Sequence, residues 1–152
     1  MTEPLKLIAL DAEDLSVVSA HLQDAVLLVG DMVYQPRERR FVAIANRFDW
    51  AQAAKATGSQ ANEFVRQRSA IRIERITAAK LQGIDLKAKQ QVLELLAVEF
   101  HSVEPDAPEG DILLLFAGGG GIRLTVECVE LLLEDLGAAW AARAKPDHSD
   151  GA

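Results

Sequence analysis

Leu5, Leu7 and Leu10, with Ile8 among them, mark a short first strand, after which the hydrophobic period changes. Leu15, Val18, Leu22 and Ala25 recur at helical spacing and form one apolar stripe, which predicts a helix from about Ala12 to Ala25. Asp11 stands before it as an N-cap, and Asp14, three residues on, makes an imperfect capping box. Val26 to Tyr34 is rich in β-formers, and Phe41 to Phe48 resumes that character. Between them Gln35-Pro36-Arg37-Glu38-Arg39 reads as a turn, because proline fixes φ and its neighbours are polar. The two runs predict a hairpin.

Ala51 to Gln67 is rich in Ala and Gln and contains Thr57-Gly58-Ser59, which predicts a helical turn after Trp50 and then a mobile loop. Ile71, Ile73 and Ile76 set against Arg72, Glu74 and Arg75 give a half-buried strand over Ser69 to Ile76, extended to Leu81. Gly83 to Lys89 is a polar turn. Val92 to Val103 is a strand, with Leu95-Leu96 pointing to burial on both faces. Glu104 to Gly110 contains two prolines and forms a loop. Asp111 to Ala117 is an apolar strand, broken by Gly118 to Gly121. Ile122, Leu124 and Val126 then alternate with Arg123, Thr125 and Glu127 as a further strand. Val129, Leu132, Leu133, Leu136 and Trp140 form a second helical stripe, in which Gly137 costs about 1 kcal/mol relative to alanine. The segment 144–152, with Pro, Gly, Ser and Asp, is expected to be disordered.

The order strand, helix, run of strands, helix predicts an α+β domain over residues 1–143, since strands without intervening helices pair antiparallel. A mainly antiparallel sheet of about seven strands twists and curls into a roll or open barrel, with one helix near each end. A pleckstrin-homology-like barrel ends in one helix in this way, although it lacks a helix near its start.

The chain has 152 residues, enough for one domain with a sizeable core. Aromatic residues are only 5%, so the core is aliphatic. A net charge of −7 repels nucleic-acid phosphate and anionic lipid, and the cluster Arg37, Arg39 and Arg40 is explained by the hairpin turn. Neither nucleic acid nor membrane is expected as a partner. The single cysteine, Cys128, cannot form an internal disulfide and fits a reducing compartment. No signal peptide and no apolar run of membrane-spanning length is readable, so a cytoplasmic protein is expected.

Four segments carry candidate chemistry. Gly118, Gly119, Gly120 and Gly121 could cradle an anion with converging N–H groups. They lack the Gly-Lys-Ser/Thr ending of a P-loop, however, and Ile122-Arg123-Leu124 follows as a strand, so a hairpin turn is the plainer reading. A helix starting at Ile122 would restore the anion reading, with Arg123 as charge partner. Arg47-Phe48-Asp49-Trp50 is either a recognition patch or a buried Arg–Asp pair locking a strand end, the second being favoured. His21-Leu22-Gln23-Asp24 could supply a His–Asp general base, but it also suits a helix C-terminus, where a charged imidazole is stabilised. Cys128 follows Glu127 at a strand–helix junction and is read as buried and inert. His21, His101 and His148 share no ligand spacing, so no metal and no cofactor is expected.

Several segments carry a resemblance: Leu5–Asp11 with Asp14-Leu15, Ser19 to Ala25, Arg47 to Trp50, Phe116 to Gly120, Ile122-Arg123-Leu124 and Val126-Glu127-Cys128. On these, up to about Arg143, the chain resembles a bacterial family of short proteins known by a domain-of-unknown-function label. That resemblance implies no activity. No complete catalytic constellation is present, so a non-enzymatic binding or protein-interaction domain is expected. Its partner would be a protein or small molecule contacted through Arg47, Asp49, Trp50 and the glycine loop. The alternative is a small anion-binding protein or enzyme using Gly118 to Gly121, and a structural subunit or homodimer through a sheet edge or the Leu-rich last helix is a third reading.

Overall fold

A computed structural model describes residues 4–48 and 66–137. In chain order its elements are β1 (Lys6–Ala9), α1 (Ala12–Leu22), β2 (Val26–Gln35), β3 (Arg40–Phe48), β4 (Arg66–Ile73), β5 (Ile76–Gln82), β6 (Val92–Ser102), β7 (Gly110–Phe116), β8 (Gly121–Val126) and β9 (Leu131–Asp135). The fold is α+β, a curled, open antiparallel sheet of nine strands in the order β1-β9-β4-β3-β2-β6-β7-β8-β5. Among the described residues α1 is the one helix.

Local signals place the helix as the sequence predicts. The Asp11 carboxylate accepts from the Asp14 N–H at 2.7 Å, and Asp14 reaches back to accept from the Leu10 N–H at 3.0 Å. Leu15, Val18 and Leu22 are its buried stripe. The helix ends at Leu22 rather than Ala25, because Asp24 takes a positive φ of 67° and its N–H turns to the Leu95 carbonyl at 2.8 Å. Ser19 Oγ accepts from the Val98 N–H at 2.9 Å, tying α1 to β6.

Two long bent ribbons give the sheet its curl. β4 pairs with β9, and β5 with β8, so the chain from 66 to 82 and the chain from 121 to 135 run beside each other and bend together. The bend falls at Glu74-Arg75, where Arg75 has a φ of 64°. Glu74 donates to the Glu130 carbonyl and Glu127 to the Arg75 carbonyl across it. The single strand expected from Ser69 to Leu81 is therefore two, because the left-handed residue redirects the second half onto the other layer. β6 bridges the layers, with a register shift between Leu95 and Ala97. Here Leu95 is fully buried and Leu96 is exposed, so the strand is buried on one face, not two.

The second helix expected over Val129 to Trp140 is replaced, where the chain is described, by the strand Leu131–Asp135. Leu131, Leu133 and Asp135 are buried while Leu132 and Glu134 are less so, a period of two. A run of consecutive apolar residues is compatible with both periods, and pairing with β1 and β4 on either side decides it. This strand, with the splitting of the Ser69–Leu81 run, brings the count to nine rather than about seven, and among the described residues no helix follows the last strand for the pleckstrin-homology comparison to rest on. The expected helical turn and loop over 51–65 and the tail 144–152 lie outside the described residues.

Candidate functional site

The hairpin β2–β3 has a break in its ladder: Leu27 opposes Ala45, but Met32 opposes Ala43. Before the break β2 pairs with β6 on its other side, through Leu28↔Val92, with Val29 and Gly30 donating on to the Gln91 and Lys89 carbonyls. Beyond it β2 pairs with β3 alone. β5, an edge strand at the end of the strand order, pairs with β8 alone. The curled sheet therefore has a mouth between the hairpin tip and the β5–β8 pair.

That mouth is an apolar groove of about 670 Å³ lined by Val29, Gly30, Met32, Val33, Tyr34, Phe41, Ala79, Leu81, Leu86, Lys89, Ile122 and Leu124. Its floor is continuous with the core, since Phe41, Ile122 and Leu124 are buried. At its rim Val33, Leu81 and Leu86 are 50%, 41% and 57% exposed. A volume of this size, apolar with few polar groups, is what small-molecule sites have. Sequence reasoning missed it because its lining comes from β2, β3, β5, β8 and the segment between β5 and β6. One signal was present: Leu86, with Ile84, is a large apolar residue in a run read as a polar turn.

The candidates read from the sequence lie elsewhere, and none of those described lines the groove. Arg47 is 3% exposed and forms a buried ion pair, but with Asp135. Its Nε and terminal nitrogen reach the two carboxylate oxygens at 2.9 and 2.8 Å. The Ser69 hydroxyl donates to Asp135 at 2.6 Å and accepts from Arg47 Nε at 3.2 Å, and the Leu5 N–H donates to the second carboxylate oxygen at 2.9 Å. Burial works against ionisation of Asp135, but the hydrogen bonds from Arg47, Ser69 and Leu5 and the Arg47 charge outweigh it, holding its pKa below the ordinary carboxylate value. Asp49 and Trp50 lie outside the described residues.

The glycine run is a tight turn joining β7 to β8. Gly118 and Gly119 have φ of 88° and 94°, and the Gly119 N–H donates to the Phe116 carbonyl while Phe116 donates to Gly120. Strand β8 starts at Gly121, so the helix that would have given the loop an N-terminal dipole does not form. An added Cβ at Gly119 meets nothing within 4 Å, so Gly119→Ala carries a pure backbone cost. We expect a loss of about 1–2 kcal/mol in thermal denaturation, with no change in fold. Arg123 projects outward, with its Nε 3.9 Å from Asp111 and its backbone opposite Lys80. His21 lies in the last turn of α1, Gln23 is its C-cap, and Asp24 is the left-handed residue after it. The glycine turn and the end of α1 meet β6 at neighbouring residues, through Ala117 N–H to Glu94 and Asp24 N–H to Leu95. Cys128 is half-buried.

The bend between the layers carries a charged cluster, Glu38, Arg39, Arg40, Arg72, Glu74, Arg75, Glu127 and Glu130. Its ion pairs are Arg39–Glu127, Arg40–Glu74, Arg72–Glu74 and Arg75–Glu130, at 3.4, 2.8, 3.0 and 3.2 Å. The Glu130 hydrogen bond and charge raise the Arg75 pKa above its ordinary value. Opposite charges balance within the cluster, which suits a clasp over the bend more than a site for an ion. Among the described residues no group of three or more His, Cys, Asp or Glu is placed to hold a metal, and no helix is long and apolar enough to cross a membrane.

Residues 5–148 match a family described as protein of unknown function (DUF2948). No curated protein and no solved structure matches the chain.

Proposed function

The chain belongs to the DUF2948 family, and we propose that it is a non-enzymatic binding domain that takes an apolar small molecule into the mouth of its curled sheet. The observation that carries this reading is the groove itself, where three large apolar side chains stand exposed around a cavity open to the core. A folded chain ordinarily buries such side chains, and clustered ones mark a place that something else covers. The groove offers Tyr34 and Lys89 as its polar side chains, with no carboxylate, histidine or thiol beside them to serve as a base, which supports holding a molecule over transforming it. The setting we propose is the bacterial cytoplasm. The lone thiol supports the reducing compartment, and the sequence resemblance supports the bacterial source.

The test is fluorescence titration with the neutral apolar dye N-phenyl-1-naphthylamine. The dye should bind the protein, and Leu86→Asp should weaken it about four- to fifteenfold, since covering the exposed 57% of a rim leucine is worth about 0.9–1.7 kcal/mol. Circular dichroism of the variant should be unchanged, because the side chain is 57% exposed. Absence of dye binding, or equal binding by the variant, refutes the reading.

A further inference from the structure

We propose, building on the groove reading above, that the ligand is an amphipathic organic anion: an alkyl or aryl chain ending in a carboxylate or similar group. The argument is one of charge. Of the groove's lining residues only Lys89 carries a formal charge, and the rest of the surface is apolar but for the Tyr34 hydroxyl. The chain's net charge of −7 works against anions at long range, but within the groove the one ionic group is a cation, which disfavours a cationic head group at contact distance and offers an anion its single partner. Asp31 and Asp85 adjoin this surface in sequence, but neither lines it. Asp85 instead accepts from the Lys87 N–H at 3.0 Å.

The backbone of Lys89 is also fixed. Its carbonyl accepts from the Gly30 N–H at 2.9 Å. The approach is so close that a Cβ at Gly30 would lie 3.0 Å from the Lys89 carbonyl oxygen and 3.1 Å from its Cβ. The strand and the loop meet at this point without a side chain between them. The lysine stem therefore leaves from a set position at the groove's edge, with an apolar stem to cover the chain and a hydrated head for the anion. An alkyl chain would lie against Met32, Phe41 and Leu124 with its head group at the rim. The head group would stay in water, so the lysine need not be desolvated to hold it.

The experiment is competition against the neutral dye by three probes with one ten-carbon chain: decanoate, decanol and decyltrimethylammonium. Decanoate should displace the dye far better than decyltrimethylammonium. In Lys89→Met the ratio of decanoate to decanol affinity should fall about three- to tenfold, the scale of a partly exposed charge-assisted contact, while decanol is unaffected. Lys87→Met, which removes the same charge outside the lining, should leave the ratio nearly unchanged. An unaltered ratio in Lys89→Met, equal effects of the two lysines, or preference for the cationic probe overturns the proposal while leaving the apolar groove intact. Failure of the dye itself to bind overturns both.

Discussion

Asp135→Ala should destabilise the fold by about 3–5 kcal/mol, the largest single-residue effect we expect outside the apolar core, because it leaves a guanidinium buried without its counter-charge. Arg47 is 3% exposed and has no water to turn to. The same change removes the acceptor of Ser69, which is fully buried, and of the Leu5 N–H, which holds the start of the edge strand β1. Urea denaturation of the variant gives the number directly. The combined replacement Arg47→Met, Ser69→Ala and Asp135→Leu should lose far less than Asp135→Ala alone, since it removes the charge together with its partner. Acidification gives a second readout. The folded pKa of Asp135 lies below its ordinary value, so its contribution is complete above the unfolded-state pKa of about 3.9 and drains as pH falls through the lower folded value. Asp135→Asn should flatten that acid limb of the stability curve.

The second large effect is expected at Leu124, which is fully buried on β8 and also lines the groove. Leu124→Ala removes its side chain from between the two layers, at a cost of about 2–5 kcal/mol. Because the vacated space opens into the groove rather than forming a sealed void, the same variant should still bind the apolar dye. Thermal denaturation with and without dye separates the two effects: a lowered Tm that bound dye raises again is the expected pattern. Loss of binding along with stability would show that Leu124 supports the shape of the mouth as well as the core.

The strands were legible wherever one face meets water, because alternation then survives in the sequence. Ile122 to Val126 shows this, and so does Ile71-Arg72-Ile73. Helix α1 was legible for two reasons, its stripe and its cap at Asp11. The last strand was not, because Leu131-Leu132-Leu133 is apolar at every position and only its neighbours β1 and β4 decide which residues are interior. The left-handed turns at Asp24 and Arg75 were not legible either, since neither is a glycine. Of the candidate chemistry, a buried arginine pair was readable from Arg47, but its partner lies 88 residues away and could not be named from spacing. The groove was hidden for the same reason: its walls come from the β2–β3 hairpin, from β5 with the segment after it, and from β8, which lie far apart in the chain.

The pairing of β1 with β9 has a consequence for how the protein is made. Lys6 sits opposite Glu134, and the Leu5 N–H bonds a carboxylate 130 residues further on. The first strand to leave the ribosome must wait for the last described one, which at ordinary rates of synthesis is a delay on the order of ten seconds. Until β9 arrives, Arg47 has already been built into β3 without its carboxylate. A chain whose translation stops short of Asp135 therefore carries an unneutralised cation where its sheet should be dry. Such a fragment cannot settle into the native fold, and it is open to proteolysis for as long as it lasts.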